Sequence, residues 1–340
     1  MSNRDAVQLS IGVAGSKPAG DYIALAQLAE QYGFHTFSVF DDLMFKPAWP
    51  LLFIAAQHTR RIRIGPSVCN PYLIHPAILA GNIALLDELS GGRAYLGIGR
   101  GAFLDFVQVE TTHPITTVRE AVELIRRLLR GERAAYHGKI FHATEAAHLQ
   151  WPPPRADIPL MIGTWGAQMC RMAGAIADEV KAGSLWSAAY GRHMWEHIAA
   201  GARAAGRAPS AVRLVFGPLT SIAEDREEAK AHARRTLAFY LPYLSPMPEF
   251  VGVAPEEIAR IKEATARNAY DEAASLVSDV ALENFALYGT PRDIIAGIER
   301  MLDETQVGRI EFGMPHGPRG SFEAIHLLGK HVAPHFARRD

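Results

Sequence analysis

Two cysteines, Cys69 and Cys170, are too few to staple a chain of 340 residues, and they form no CxxC or other metal-ligand spacing. A reduced protein of the cytoplasm is therefore expected. No apolar run reaches the roughly 18–20 residues that span a bilayer. The opening stretch MSNRDAVQLS lacks the apolar centre of an export signal. Neither sign of charge dominates: 35 basic and 36 acidic residues leave a net charge of −1. That balance gives no electrostatic footing for nucleic acid or an anionic membrane surface. Basic pairs such as Arg126-Arg127 and Arg234-Arg235 fall in helical patterns and read as solvated faces. Short repeats and low-complexity tracts are absent. So are HExxH, GxSxG, GxxxxGK[ST] and an opening GxGxxG. The 14 histidines are scattered; no metal site is expected.

What is present is apolar material, 49% of the chain, enough for one large core or two smaller ones. It comes in short β-branched runs that alternate with longer helical patterns. Strands are expected at Val7–Val13, Thr36–Phe40, Arg61–Gly65, Ala94–Ile98, Pro159–Ile162, Glu179–Ala182, Val212–Leu219 and Arg309–Phe312. Between the first two, Tyr22, Leu25, Ala26, Ala29 and Tyr32 share one helical face. Pro76 to Leu89 is a helix that Gly91-Gly92 stops. Thr117-Val-Arg-Glu120 fits a capping box, and Thr290-Pro-Arg-Asp293 caps another helix with Pro in its first turn. Eight strand–helix units predict an α/β chain folded as a closed (β/α)8 barrel rather than an open doubly wound sheet. Residues 1–340 are expected to form a single domain, with 224–283 a mostly helical insertion. Tyr136–Arg155, with Trp151-Pro-Pro-Pro154, reads as a surface excursion.

Active sites of such barrels lie at the C-terminal ends of the strands. Those ends carry Asp41-Asp42, Pro66–Tyr72, Gly99–Ala102, Gly163–Gly166, Gly183-Ser184 and Gly313–His316. Any one glycine here is an ordinary turn residue. Their repetition around the rim suits a planar ligand held largely by main chain. Gly163-Thr-Trp-Gly166 opens a helix, whose amides can bind a phosphate. His75, His113 and His316 fall near these loops, but three spaced histidines are ordinarily packing residues. Cys69 is either a reactive thiol or a small buried residue beside a ligand.

Ala29–Phe34, Asp41, Val68–Pro71, and LDELSGGR at Leu86–Arg93 followed by LGIG at Leu96–Gly99, together resemble the luciferase-like family of flavin- and deazaflavin-dependent oxidoreductases. AGxxxD at Ala173–Asp178 adds to the likeness, which runs over nearly the whole chain. Asn70-Pro71-Tyr72 and Met161–Gly166 are similar to the deazaflavin branch. That branch contains methylenetetrahydromethanopterin reductase and a glucose-6-phosphate dehydrogenase. The resemblance implies coenzyme F420 as cofactor, with FMN the alternative, and a homodimer paired through helices after strands two and three. It places Asp41 beside the cofactor ring and a non-prolyl cis peptide at Ser67–Val68 behind it. Cys69 and Asn70 would touch the ring, and Gly99, Arg100 and Gly101 would line its side. Gly163, Thr164, Trp165, Gly166 and Ala167 would hold the phosphate region, with Gly183 and Ser184 nearby.

Three departures follow. Gly12 stands where the reductase has an acid. Asp42 stands where the dehydrogenase has a histidine, and Ala102 where it has a glutamate. Asp42 becomes the candidate proton donor, with a structural pair at Asp41-Asp42 as the other reading. Three functions stay open: F420-dependent hydride transfer to or from an organic small molecule, FMN-dependent monooxygenation, and cofactor binding without catalysis. Phe45, Trp49, Phe103, Phe106, Trp165 and Trp186 could give the mouth an apolar lining, or simply pack beneath loops.

Overall fold

The computed structural model describes residues 7–337. The first six residues of the stretch weighed above as an export signal lie outside them. Twelve strands occur among the described residues. They are β1 (Gln8–Val13), β2 (Thr36–Val39), β3 (Arg63–Pro66), β4 (Leu96–Gly99), β5 (Tyr136–His137), β6 (His142–Ala143), β7 (Leu160–Gly163), β8 (Glu179–Gly183), β9 (Arg213–Gly217), β10 (Leu219–Ile222), β11 (Ala286–Gly289) and β12 (Val307–His316). The helices begin with α1 (Asp21–Gln31), α2 (Ala48–Gln57), α3 (Pro76–Ser90), α4 (Pro114–Leu129), α5 (Ala167–Ile176) and α6 (Ala188–Ala204). They continue with α7 (Arg226–Tyr240), α8 (Met247–Phe250), α9 (Pro255–Ala266), α10 (Tyr270–Leu276), α11 (Asp279–Phe285), α12 (Pro291–Glu304), α13 (Ser321–Leu327) and α14 (Ala333–Phe336).

Eight strands pair side by side in the order β3-β2-β1-β12-β9-β8-β7-β4. Bridges Ile64–Ala94 and Cys69–Ile98 join β3 to β4 and close the ring. The expected (β/α)8 barrel is thus the observed fold. Its strands are short and buried on both faces, which is why they read as apolar runs without alternation. Their outer residues, such as Ile11, Phe37 and Ile64, meet helices whose apolar stripes recur every three or four residues. On α4 that stripe is Val118, Ala121, Val122, Ile125 and Leu129, all buried. Each of its Val, Ile and Leu side chains contributes about 1.5–3 kcal/mol when removed from water.

Much of the family-like motif is scaffold. In the LDELSGGR segment, Gly91 ends α3 in the left-handed region at φ 67°, and Gly92 follows at 83°. Asp87 is fully buried and receives two hydrogen bonds from Arg155, at 2.8 and 2.9 Å. Arg93 donates to the carbonyls of Ala56, Thr59, Ile62 and Ser90. The motif therefore welds α2 and α3 to β4. In the AGxxxD segment, a Cβ on Gly174 would lie 2.1 Å from the Ile198 carbonyl oxygen, so glycine lets α5 press against α6.

Several expectations need correction. The expected seventh strand, Val212–Leu219, breaks at Pro218, which has no N–H to donate. The chain resumes as β10, which pairs with β11 and the far half of β12. β11 was not anticipated, because four residues after a long helical stretch give no period to read. The capping box at Thr117–Glu120 does not form. α4 starts three residues earlier, at Pro114, and Thr117 Oγ1 donates back to the carbonyls of Thr112 and His113. Glu120 instead accepts the N–H groups of Lys139, Ile140 and Phe141, tying down the β5–β6 hairpin. The Thr290–Asp293 box is present in full. Among the apolar residues expected to serve a dimer, Leu51, Leu52, Ala55, Leu79, Ile83 and Leu86 are buried inside the chain. Ile78 and Leu85 face outward, and Ile54 is half-buried.

Among the described residues no helix is long and apolar enough to cross a membrane. One buried apolar cluster runs from the barrel into α7, α9, α10 and α11 through Leu237, Ile261, Ala273 and Leu282.

Candidate active site

The C-terminal ends of the barrel strands open into a cavity of about 810 Å³. The Ser67–Val68 peptide is cis, and both residues line this cavity. Val68 sits in a notch made by two glycines on neighbouring strands. A Cβ on Gly99 would come within 2.9 Å of Val68 Cγ2, and one on Gly163 within 2.9 Å of Cγ1. Side chains there would push Val68 out of its seat. Gly166 and Gly183 behave differently: an added Cβ at either meets nothing within 4 Å. Their backbones are bared to the space that a bound group would fill.

The N-terminus of α5 opens into the same cavity. Gly166 is its N-cap residue, and no side chain caps it. The first-turn amides of a helix have no partners within the helix, and its dipole favours an anion there. Thr164, Gly166, Ala167, Gln168 and Met169 all line the cavity. The loop is held rigidly. Thr164 N–H donates to the Lys181 carbonyl, and Trp165 Nε1 donates to the Ser245 carbonyl at 3.1 Å. The Trp165 carbonyl in turn accepts from the Tyr190 hydroxyl at 2.9 Å. Arg100, Gly101 and Ser184 complete this wall. Ser184 and Phe103 occupy the left-handed region at φ 53° and 61°, a placement common at ligand-binding rims.

Asp42 lines the cavity and Asp41 does not. The Asp41 carboxylate turns away to accept the Ala48 N–H at 3.0 Å, satisfying an amide at the start of α2. Burial raises Asp41 above the usual carboxylate range, and that hydrogen bond opposes it. Burial also pushes Asp42 up, to about 6, with Lys181 opposing and Asp41 adding to the shift. Cys69 and Asn70, expected against the cofactor ring, do not line the cavity. Cys69 Sγ donates to the Gly97 carbonyl, and burial raises its thiol well above the ordinary value. It is a packing residue, not a thiolate. Asn70 Oδ1 accepts the N–H groups of Tyr72 and Leu73 and shapes the turn. Gly99 serves as part of the Val68 seat.

Of the aromatic residues considered for the mouth, Phe103 and Trp165 line the cavity, and Phe106 stacks on Phe103 at 5.2 Å. Trp49 and Trp186 are buried against Phe53 and Phe216. Two unanticipated tyrosines, Tyr240 and Tyr243, join Phe103 from the segment after β10. The Tyr240 hydroxyl sits 3.5 Å from Met314 Sδ, and burial with the nearby Asp42 charge raises its value above the ordinary one. Two of the rim histidines have structural roles, while His113 is exposed and its side chain caps nothing. His75 Nδ1 accepts the Ala77 N–H at the start of α3. His316 is fully buried: Nε2 donates to the Gly12 carbonyl at 2.9 Å, and Nδ1 accepts from Ser321 Oγ at 2.8 Å. Burial and the Lys17 charge hold it down to about 4, so it is neutral. No group of three or more metal-ligating side chains occurs among the described residues.

The sequence reading overlooked the floor. Lys181 lines the cavity, donates to Ser67 Oγ at 2.6 Å and pairs with Glu311. Glu311 occupies the space beside Gly12, where a Cβ would lie 2.7 Å from its Oε1. Glu311, on the strand paired with β1, therefore fills the space that a side chain at position 12 would need. The signal was available: charged residues within buried strands, Glu179, Lys181, Arg309 and Glu311, demand partners.

A flat apolar seat at Val68 and an amide-lined helix terminus with Thr164 and Arg100 fit a planar ring bearing a phosphate chain. The family model described as luciferase-like monooxygenase matches residues 5–308. The chain is 34% identical over 319 residues to the 5,10-methylenetetrahydromethanopterin reductase of Archaeoglobus fulgidus, covering 91% of this chain and 93% of that one. It superposes on the coenzyme F420-dependent tetrahydromethanopterin reductase of Methanopyrus kandleri with a TM-score of 0.90 and 30% identity, covering 97% and 99% of the two chains. It is also 28% identical to limonene 1,2-monooxygenase of Rhodococcus erythropolis, over 85% of this chain and 73% of that one. This chain belongs to the luciferase-like family.

Proposed function

We propose that this protein is an F420-dependent oxidoreductase acting on an apolar or aromatic organic molecule. One observation carries the reading. A cis Ser67–Val68 seat and the uncapped α5 terminus face a single cavity, in a chain similar over its length to F420-dependent reductases. Bound there, F420 would accept or supply a hydride at its C5. The protein's own work is binding, orientation and protonation. Val68 would back the ring. Thr164, the α5 amides and Arg100 would hold the phosphate. Phe103, Tyr240 and Tyr243 would close an apolar mouth around the substrate and keep water from the reacting atoms. Asp42, raised to about 6, would deliver or take the accompanying proton. The chain would work as one barrel unit in the cytoplasm, with 224–283 an insertion that brings Tyr240 and Tyr243 to the mouth.

Titration with F420 and with FMN, followed by absorbance and fluorescence, tests this. Saturable F420 binding with weaker or no FMN binding is expected. FMN binding without F420 binding replaces hydride transfer by monooxygenation. F420 binding with no turnover across a panel of alcohols, carbonyls and enones leaves a binding protein.

The outward Ile78 and Leu85, with Ile54 beside them, support a homodimer through α2 and α3. Light scattering at micromolar concentration should give twice the chain mass. A monomer there rules the dimer out.

A further inference from the structure

Four charged side chains of β8 and β12 are buried within the barrel: Glu179, Lys181, Arg309 and Glu311. They divide into two layers. Glu179 is held by Arg309, Arg63 and Arg213, a lower layer with no access to the cavity. Lys181 and Glu311 form the upper layer, and Lys181 alone of the four lines the cavity. Its ammonium also lies 4.8 Å from the centroid of the Phe40 ring, two residues before Asp42. Gly12 leaves room for Glu311 and so for the pair.

We propose that Lys181 is the positioning residue of the proton-transfer step: seated by Glu311 and Ser67 in the room left at Gly12, its ammonium sets the charge state of Asp42. The proposal rests on reading Asp42 as the site's acid. Asp42 lines a poorly solvated cavity with a second carboxylate on the adjacent residue, and both burial and that neighbour favour its protonated form. One cation at the floor restores ionisation near neutrality, where a general acid is most effective. The groups facing Asp42 are few. Asp41 lies on its own segment, Lys181 comes from β8 with Glu311 and Arg309 behind it on β12, and Tyr240 comes from α7. Arg100 and Asp105 stand at the mouth, and Cys69 does not line the cavity.

The test uses protein carrying ¹³C-labelled aspartate carboxyl groups, without added cofactor. Asp42→Asn identifies the resonance. In Lys181→Met the Asp42 titration should move up by at least one pH unit. In Lys181→Arg, which keeps the cation, it should stay near the parent. In Glu311→Gln, which frees the cation from its counter-charge, it should move down. A merely structural role would not give shifts of opposite sign. Lys181→Met leaves Glu311 buried beside Arg309 alone, so the double variant Lys181→Met/Glu311→Gln, with both charges removed, is measured as well. It should fold and show an upward shift smaller than that of Lys181→Met alone. No shift in either lysine variant overturns the proposal. If the resonance shifts but the pH dependence of F420-linked turnover does not follow, Asp42 is not the acid, while Lys181 still governs its charge.

Discussion

Asp42→Asn lowers turnover roughly 10²–10⁴-fold, the usual scale for losing a positioned general acid, and leaves F420 affinity within a few-fold of the parent. The carboxyl lines the cavity at the mouth of the barrel, and burial lifts it to about 6 against the pull of Lys181. In the direction that reduces the substrate, the protonated form is the working one. Parent turnover should therefore be flat below about pH 6 and fall about tenfold per pH unit above it, until another proton source takes over. The Asn variant should lack this limb. Folding is not at risk. A carboxyl whose folded value is raised contributes stability that is fully present below its unfolded value and lost as pH rises through the folded one. At pH 8 the ionised Asp42 is thus a burden, and the neutral amide variant should melt no lower than the parent. If cofactor affinity collapses while the rate per bound cofactor stays normal, Asp42 is a binding or structural residue.

The barrel was legible because its strands and helices obey simple periods. Ile11, Phe37 and Ile64 lie in buried apolar runs, and Gly91-Gly92 and Thr290–Asp293 mark helix ends by local chemistry. The breakdowns came where a longer-range partner decides. Glu120 looked like half of a capping box. It serves three amides some 20 residues away, because a hairpin without a core of its own needs an anchor. Pro218 split a strand that hydropathy alone would have continued. At the site, the residues that use main chain to form a wall were found by their glycines and by family likeness: Ser67, Val68, Gly163–Ala167 and Gly183-Ser184. Asp41, Cys69 and Asn70, expected to touch the cofactor, do not line the cavity, because sequence position fixes a loop but not which way its side chains turn. Tyr240 and Tyr243 arrive from a helical segment with no motif, and only the packing of α7 against β10 and β11 brings them to the mouth.

Gly12, Glu311 and Lys181 form one packed unit at the floor of the cavity. Gly12 carries no side chain on β1, and the room it leaves is occupied by Glu311, whose Oε1 a Cβ would meet at 2.7 Å. Glu311 is then neutralised by Lys181, which reaches the cavity that Glu311 itself does not line. The floor thus presents the Lys181 cation to the cavity. A carboxyl at position 42, beside that cation, is a consistent partner.

Arg309→Met should cost about 3–5 kcal/mol of folding stability, the scale for removing one partner from a buried ion pair. That is a large part of the roughly 5–15 kcal/mol that a domain commands. Arg309 is fully buried, donates to Glu179 Oε2 at 2.6 Å and lies 3.5 Å from Glu311 Oε2. Methionine fills similar space but leaves two carboxylates short of a cation. Glu179 keeps Arg63 and Arg213, both partly exposed, and Glu311 keeps Lys181. The pH dependence carries a second signature. Burial would raise Glu179, but Arg309, Arg63 and Arg213 outweigh it and hold the carboxyl down to about 2. A depressed carboxyl contributes stability that is present above its ordinary value near 4.5 and lost as pH falls through about 2. Without Arg309 the depression weakens, so acid unfolding of the variant should begin at higher pH. Urea unfolding at pH 7 and circular dichroism down to pH 2 measure both effects. A loss under about 1 kcal/mol, with unchanged acid unfolding, would mean that Arg63 and Arg213 satisfy Glu179 by themselves. Pairing Arg309→Met with Glu179→Gln should recover part of the loss, because exchanging a buried ion pair for neutral groups of similar size is often nearly neutral. Recovery in that double variant identifies the cost as an uncompensated charge and not as lost packing.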